Sequence, residues 1–309
     1  MKSTKIIVTL MAAGAAVALT QQASAQYTLQ GNYLEVGVGS DGSIINPSGT
    51  APYIGGQSYS QFPGIIWNGA GTGFGGAYVN NDFITPGTPF QMYSIGVGGS
   101  YGTASYLGGN TLGASTIQTG PLSTLTTGGY GGLTYSQTLS FTAGSSIINF
   151  AMTLHNPTAA AISDIAFATG FDPDPDVYQH GSYYTQNQIV EPGVVQAIGP
   201  DTGNSIIIQD LSGGAVADIQ ASWPEYNPYD LLTGYNDGNG DYSIFDAWSI
   251  PVLGAGASET IDYNYIINAT PVTSTSPILT TSTTTPDGAS TLALLGLALT
   301  GLGVIRRKM

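Results

Sequence analysis

Ile148, Phe150, Met152 and Leu154 alternate with Asn149, Ala151, Thr153 and His155. A period of two puts the first set on one face of a strand and the second set on the other. Asn156-Pro157 ends the run, since proline lacks the amide that a ladder needs. Ile165 and Phe167, set among Asp164, Ala166 and Ala168, repeat the pattern, as do Ile261, Tyr263 and Tyr265. Leu34-Glu35-Val36-Gly37-Val38 leads into Ser40-Asp41-Gly42-Ser43 and then Ile44-Ile45. Asp-Gly between apolar runs predicts a hairpin, because it accepts positive φ. No segment of the middle of the chain shows the period of a long amphipathic helix. The pattern predicts an all-β fold, an antiparallel β-sandwich that is either one enlarged sandwich or two packed ones.

The two ends read differently. Lys2 and Lys5 precede an apolar run from Ile6 to Leu19, and Ala23-Ser24-Ala25 is a small-residue cleavage pattern. Residues 1–25 are therefore expected to be a secretory signal peptide, cut between Ala25 and Gln26. Residues 270–285 are a Thr/Ser/Pro-rich linker with no apolar period, which predicts an extended stalk. Residues 286–309 combine a short polar motif, an apolar segment from Thr291 to Ile305, and Arg306-Arg307-Lys308. That order predicts a short transmembrane helix with its basic end held in the cytoplasm. The head is what remains, residues 26–269.

In the tail, Pro286-Asp287-Gly288 followed by an apolar helix and an Arg cluster resembles the PEP-CTERM class of bacterial sorting signals, and especially its VPDSG-CTERM variants. Thr285 replaces the usual valine, and Ala289 stands where the variants often carry Gly or Ser. The resemblance is confined to the C-terminal tail. It implies an exosortase-like processing peptidase acting after the export machinery. It also implies transit through the inner membrane, and delivery to the cell surface or extracellular matrix of a Gram-negative bacterium that makes exopolysaccharide. It implies nothing about what the head does.

Charge sharpens this picture. The chain has five Lys and Arg against 19 Asp and Glu. All five cations lie at the ends, and none occurs from Gln26 to Thr285. A head without a basic footprint excludes nucleic acid as a partner, since phosphate binding depends on one. Attraction to anionic lipid headgroups fails for the same reason. With no cysteine there is no disulfide framework and no thiolate chemistry.

Three stretches could carry function. In Asp172-Pro173-Asp174-Pro175-Asp176, two prolines favour extended backbone, and alternate side chains of an extended segment share a side. Three carboxylates with no Lys or Arg to neutralise them suit a hard cation such as Ca2+. An exposed acidic turn is the alternative. Asp237, Asn239 and Asp241 form a second possible calcium loop with the opening D-x-N-x-D. Tyr242 at the sixth position and Trp248 at the twelfth rule out an EF-hand. Here a Gly-Asn-Asp hairpin connection is the alternative. Trp223, Tyr226 and Tyr229, beside Glu225 and Asp230, could stack on a glycan. Among 19 tyrosines, such a cluster also arises by chance.

Enzyme readings find less support. Neither His155 nor His180 accompanies a G-x-S-x-G elbow, and there is no P-loop or H-E-x-x-H. The reading that results is a non-enzymatic, structural or adhesive surface protein, calcium-binding at one or both acidic loops and in contact with extracellular polysaccharide. The alternatives are a secreted carbohydrate-binding module and a glycoside hydrolase using an acid pair drawn from Asp172, Asp174, Asp176, Glu225 and Asp230.

Overall fold

The computed structural model describes residues 25–49, 62–74 and 82–268. The chain divides into two units, Met1–Pro271 and Val272–Met309. The second unit, with the linker and sorting tail, lies outside the described residues, as does the expected signal peptide before Ala25. No helix among the described residues is long and apolar enough to cross a membrane.

In chain order the strands are β1 (Tyr27–Gln30), β2 (Leu34–Val38), β3 (Ile65–Trp67), β4 (Gln91–Val97), β5 (Ser100–Ser105) and β6 (Gly109–Asn110). There follow β7 (Ser115–Gly120), β8 (Ser123–Tyr130), β9 (Leu133–Ser140), β10 (Ile147–His155) and β11 (Ile162–Phe171). The last are β12 (Gln186–Glu191), β13 (Val194–Ile198), β14 (Ser205–Asp210), β15 (Val216–Gln220), β16 (Ser243–Leu253) and β17 (Ser258–Ile267). Among the described residues the helices are α1 (Val177–His180) and α2 (Pro228–Leu231), each a single turn.

The head is all-β and antiparallel throughout its ladders. An eight-stranded sheet has the order β12-β13-β14-β17-β10-β9-β8-β7, a six-stranded sheet the order β15-β16-β11-β4-β5-β6, and β1-β2-β3 form a small third sheet. The two large sheets bury their facing sides against each other. Ile148, Phe150, Met152 and Leu154 of β10 and Tyr263 and Tyr265 of β17 meet Phe167 and Phe171 of β11 and Trp248 of β16 in one continuous core. Ring centroids of Phe171 and Tyr265 lie 4.9 Å apart, and those of Trp248 and Tyr263 5.6 Å. Leu34, Val36 and Ile65 of the small sheet join the same cluster. The head is thus one enlarged sandwich.

The expected strands form at β10, β11 and β17, but buried and open positions alternate strictly only along β10; β11 from Ile165 and β17 from Tyr263 are buried on both faces. The hairpin expected at Ser40–Ser43 forms only as a turn. Gly42 takes φ 83°, the Gly39 amide donates to Ser43 O at 2.8 Å, and the Ser43 amide donates to Asp41 Oδ1 at 3.0 Å. Ile44 and Ile45 do not continue as a strand. The Ile44 amide bonds instead to Gln91 Oε1 at 2.6 Å.

The six-stranded sheet has a second buried face. Phe90, Met92, Ala168, Phe245 and Ala247 form a smaller core there, covered by Leu231 of α2 and by Trp223, Tyr226 and Leu232. The loop between β15 and β16 is therefore a lid of structure laid on the outside of the sandwich.

Candidate functional site

The first acidic loop leaves β11 directly. Its backbone is pinned to the segment before β4: the Asp172 amide donates to Phe90 O at 3.1 Å and the Asp174 amide to Phe83 O at 2.8 Å. All three carboxylates are buried rather than exposed. Asp172 and Asp174 each have an Oδ1 that is buried without a hydrogen bond. Burial pushes the Asp172 carboxyl up to about 7, and Asp241 pushes the same way. Asp174 is raised well above its ordinary value by burial, then by Asp172, Asp241 and Asp82.

Asp176 does not join them. Proline restrains the residue before it, and Asp176 follows Pro175 with nothing beyond to hold it extended. It turns to φ −103°, ψ −9° at the start of α1. Its Oδ2 accepts from the Asp201 amide at 2.8 Å, and its Oδ1 from the Thr202 amide at 3.2 Å and from the Thr202 hydroxyl. Asp176 organises the β13–β14 loop.

The second acidic loop is likewise divided. Asp237 Oδ2 accepts from the Ala221 amide at 2.7 Å, and Asn239 Oδ1 from the Asn187 amide at 2.9 Å. Asp241 alone lies in the electrostatic reach of Asp172 and Asp174. Paired backbone bonds between Thr185 and Gly240, at 2.9 and 3.0 Å, fix the chain beside it. Of the second loop's residues, it is thus Asp241 whose charge reaches the Asp172–Asp174 pair. Among the described residues, no three His, Asp or Glu side chains are grouped as a metal cage.

The aromatic candidates hold the lid down. Trp223 stacks on Phe90 with centroids 6.0 Å apart, and Tyr226 meets the same ring edge-on at 5.6 Å. The Tyr229 hydroxyl donates to Asp164 O at 2.7 Å and accepts from the Gly99 amide at 3.2 Å. His155, at the end of β10, places Nδ1 3.0 Å from Ser258 Oγ.

Beside these rings the lid and β15 flank an open groove of about 400 Å³. Glu225, Asp230 and Asp237 contribute carboxylates to its walls, Thr233 and Tyr235 contribute hydroxyls, and Gln220 contributes an amide. Asp218 lies two residues before Gln220 on the same side of the strand, wholly buried. Its Oδ2 accepts from the Tyr235 amide at 2.7 Å, while its Oδ1 is buried without a hydrogen bond. Burial pushes Asp218 up to about 7, against the pull of the Tyr235 amide and the Gln220 side chain, and with Asp237 and Glu225 adding to the rise. Asp218 was not among the sequence candidates. Its signal was the alternation of Asp218 and Gln220 with the core residues Ala217 and Ile219.

Asp246 is another unanticipated acid. It shares a face of β16 with Ile244 and Trp248 and so points between the sheets. It is wholly buried, and both of its oxygens lack hydrogen bonds.

Solved structures similar to this chain include a putative aldose 1-epimerase from Escherichia coli K12, at 11% identity over 79% of this chain and 98% of that one, TM-score 0.44. A galactose mutarotase related enzyme from Lactobacillus acidophilus matches at 8% identity over 80% and 98%, TM-score 0.45. A TPR-domain containing protein from Parabacteroides distasonis matches at 11% over 83% and 49%, TM-score 0.46. At these values no activity passes to this chain. No curated protein matches it in sequence. The tail is where a match is specific: residues 286–309 fit the VPDSG-CTERM motif, and the chain carries that sorting signal behind its β-sandwich head.

Proposed function

We propose that this is an exported, non-enzymatic protein of the Gram-negative cell surface or extracellular matrix. Export machinery carries it across the inner membrane, and an exosortase-like peptidase cuts its tail. The head then works by binding, in a structural or adhesive role among extracellular polysaccharide. The observation that supports this is the pairing of the VPDSG-CTERM tail with a head that has no Lys or Arg from Gln26 to Thr285. Once both ends are removed, an all-β polyanion remains, kept soluble by its own charge. Calcium belongs to the same proposal. It would relieve the Asp172–Asp174 pair when it ionises, at the two Oδ1 atoms that have no hydrogen bond.

Mass spectrometry of the product from a host with an exosortase tests the route. The expected species begins at Gln26 and lacks Arg306-Arg307-Lys308, and deleting the peptidase restores the tail. Recovery of the full-length chain in the cytosol, with Lys2 and Arg307 present, refutes the proposal. Release of reducing ends from polysaccharide by the purified head would replace binding with catalysis.

A further inference from the structure

β1 runs antiparallel to β2, with Tyr27 opposite Val38. One further step in that register sets Gln26 opposite Gly39, the residue before the Ser40–Ser43 turn. The Asp41 carboxylate folds back over Gly39, where an added Cβ would lie 2.7 Å from Asp41 Oδ1. Gln26, Gly39 and Asp41 line one groove of about 210 Å³ with Ser40, Ser43 and Tyr106. The other titratable groups around the turn are tyrosines, Tyr106 in the groove and Tyr93 and Tyr135 behind it, so Asp41 is the one carboxylate of the site.

Asp41 is almost wholly buried. Among the described residues its side-chain hydrogen bonds both fall on Oδ1, from the Ser43 amide at 3.0 Å and the Ser43 hydroxyl at 2.7 Å. That leaves Oδ2 for a further donor. A buried carboxylate calls for a cation, and no Lys or Arg occurs from Gln26 to Thr285. Removal of the signal peptide supplies one. In the precursor the Gln26 nitrogen belongs to a neutral peptide bond, and after the cut it is an α-ammonium. The Gln26 Oε1 atom is buried without a hydrogen bond. Its burial opposes the swing that would carry Cδ onto the terminal nitrogen and close a neutral pyroglutamate.

We infer that export completes the fold at this end: the α-ammonium freed at Gln26 pairs with the Asp41 carboxylate and ties β1 to the Ser40–Ser43 turn. This rests on the proposed export route, with its cut between Ala25 and Gln26. The pair exists only in the processed protein, so the small sheet tightens once the chain has left the membrane.

Once both ends are cut away, the Gln26 nitrogen is the only amine of the mature protein, and an acetylating reagent has a single amine to modify. The pH profile of acetylation of the exported product reads the titration of that amine. Its midpoint is expected above the range of about 7.7–8.0 usual for a chain terminus, and roughly half a unit lower in D41N. Asn keeps the oxygen that Ser43 uses, so the turn survives the substitution. The acetylated wild-type product is expected to melt roughly 2–4 °C lower than the unmodified one, and acetylated D41N no lower than D41N. If D41N does not fold, the wild-type midpoint decides. A midpoint in the usual range, equal melting losses in the two proteins, or a terminus closed to pyroglutamate each overturns the inference. A Gln26 start with an ordinary amine refutes this pair and leaves the export reading standing. Full-length chain in the cytosol refutes the export reading and removes the amine with it.

Discussion

Asp174 and Asp176 stand two residues apart, both buried, and they are treated in opposite ways. The Asp176 carboxylate accepts from Asp201 and Thr202 through both oxygens, whereas Asp174 Oδ1 accepts nothing. Gly199 sits so close to Asp176 that an added Cβ would lie 2.1 Å from its Oδ1. The carboxylate is therefore built into the β13–β14 loop. Replacing it strands two amides and a hydroxyl, so D176A is expected to cost roughly 3 kcal/mol in urea unfolding. D174N removes a carboxyl that burial opposes ionising and is expected to stabilise the head at alkaline pH. Equal losses in the two variants would mean that the two environments do not differ in this way.

The buried acids also set a pH dependence. Glu35, Asp172 and Asp218 are raised to about 7, and Asp174 and Asp246 well above their ordinary values, with burial the largest cause for each. In the unfolded chain the same groups titrate near about 4. Between those values the folded state holds more protons than the unfolded state, so stability falls as pH rises. The contribution is complete below the unfolded values and is lost through neutrality. The melting temperature of the head is expected to decline from about pH 5 to about pH 8, with a shallower slope in D172N and D218N. A rise over that window would contradict the environments described here.

Calcium enters where protons leave. At alkaline pH the Asp172–Asp174 pair must ionise in a poorly solvated place with Asp241 nearby, and no internal cation is available. Millimolar calcium is then expected to raise the melting temperature, and chelation to reverse it. The effect should shrink near pH 5, where protons already neutralise the pair. D172N should abolish it and D237N should not, because Asp237 is occupied with the Ala221 amide. An unchanged melt removes calcium from the proposal.

Strands with one polar face were legible in advance. β10 alternates strictly because its polar residues lie on the other face of the sheet from its core residues. β4 was not legible. It is buried on both faces except at Val97, and the sequence Gln91-Met92-Tyr93-Ser94-Ile95-Gly96-Val97 has no period to read. Strand order was also hidden, since β17 sits between β14 and β10, and β4 between β11 and β5. The pairings of β17 with β14 and β10, and of β4 with β11, join residues from 53 (263 − 210) to 119 (266 − 147) positions apart, and no local pattern records them. The acids show the same limit. Composition gave their number and their lack of partners, but not which would be buried. Asp246 occupies an inward position of an ordinary-looking strand, and the turn that carries Asp241 is tied in place by the pairing of Thr185 with Gly240 and by the Asn187–Asn239 bond.

The lid's attachment can be tested at Gly96 and Tyr229. A Cβ on Gly96 would lie 2.5 Å from the Tyr229 ring, whose hydroxyl bridges the Gly99 amide and Asp164 O. G96A must push the ring away and break both bonds, at an expected cost of about 1–3 kcal/mol. In a Y229A background the obstruction is gone, and the same substitution is expected to cost only a few tenths of a kcal/mol. A coupling of this size would show that Tyr229 is committed to holding the β15–β16 loop against the six-stranded sheet, and that its ring face is not free for a sugar. Additive losses would mean that the ring moves aside without penalty, leaving Tyr229 available as a contact residue.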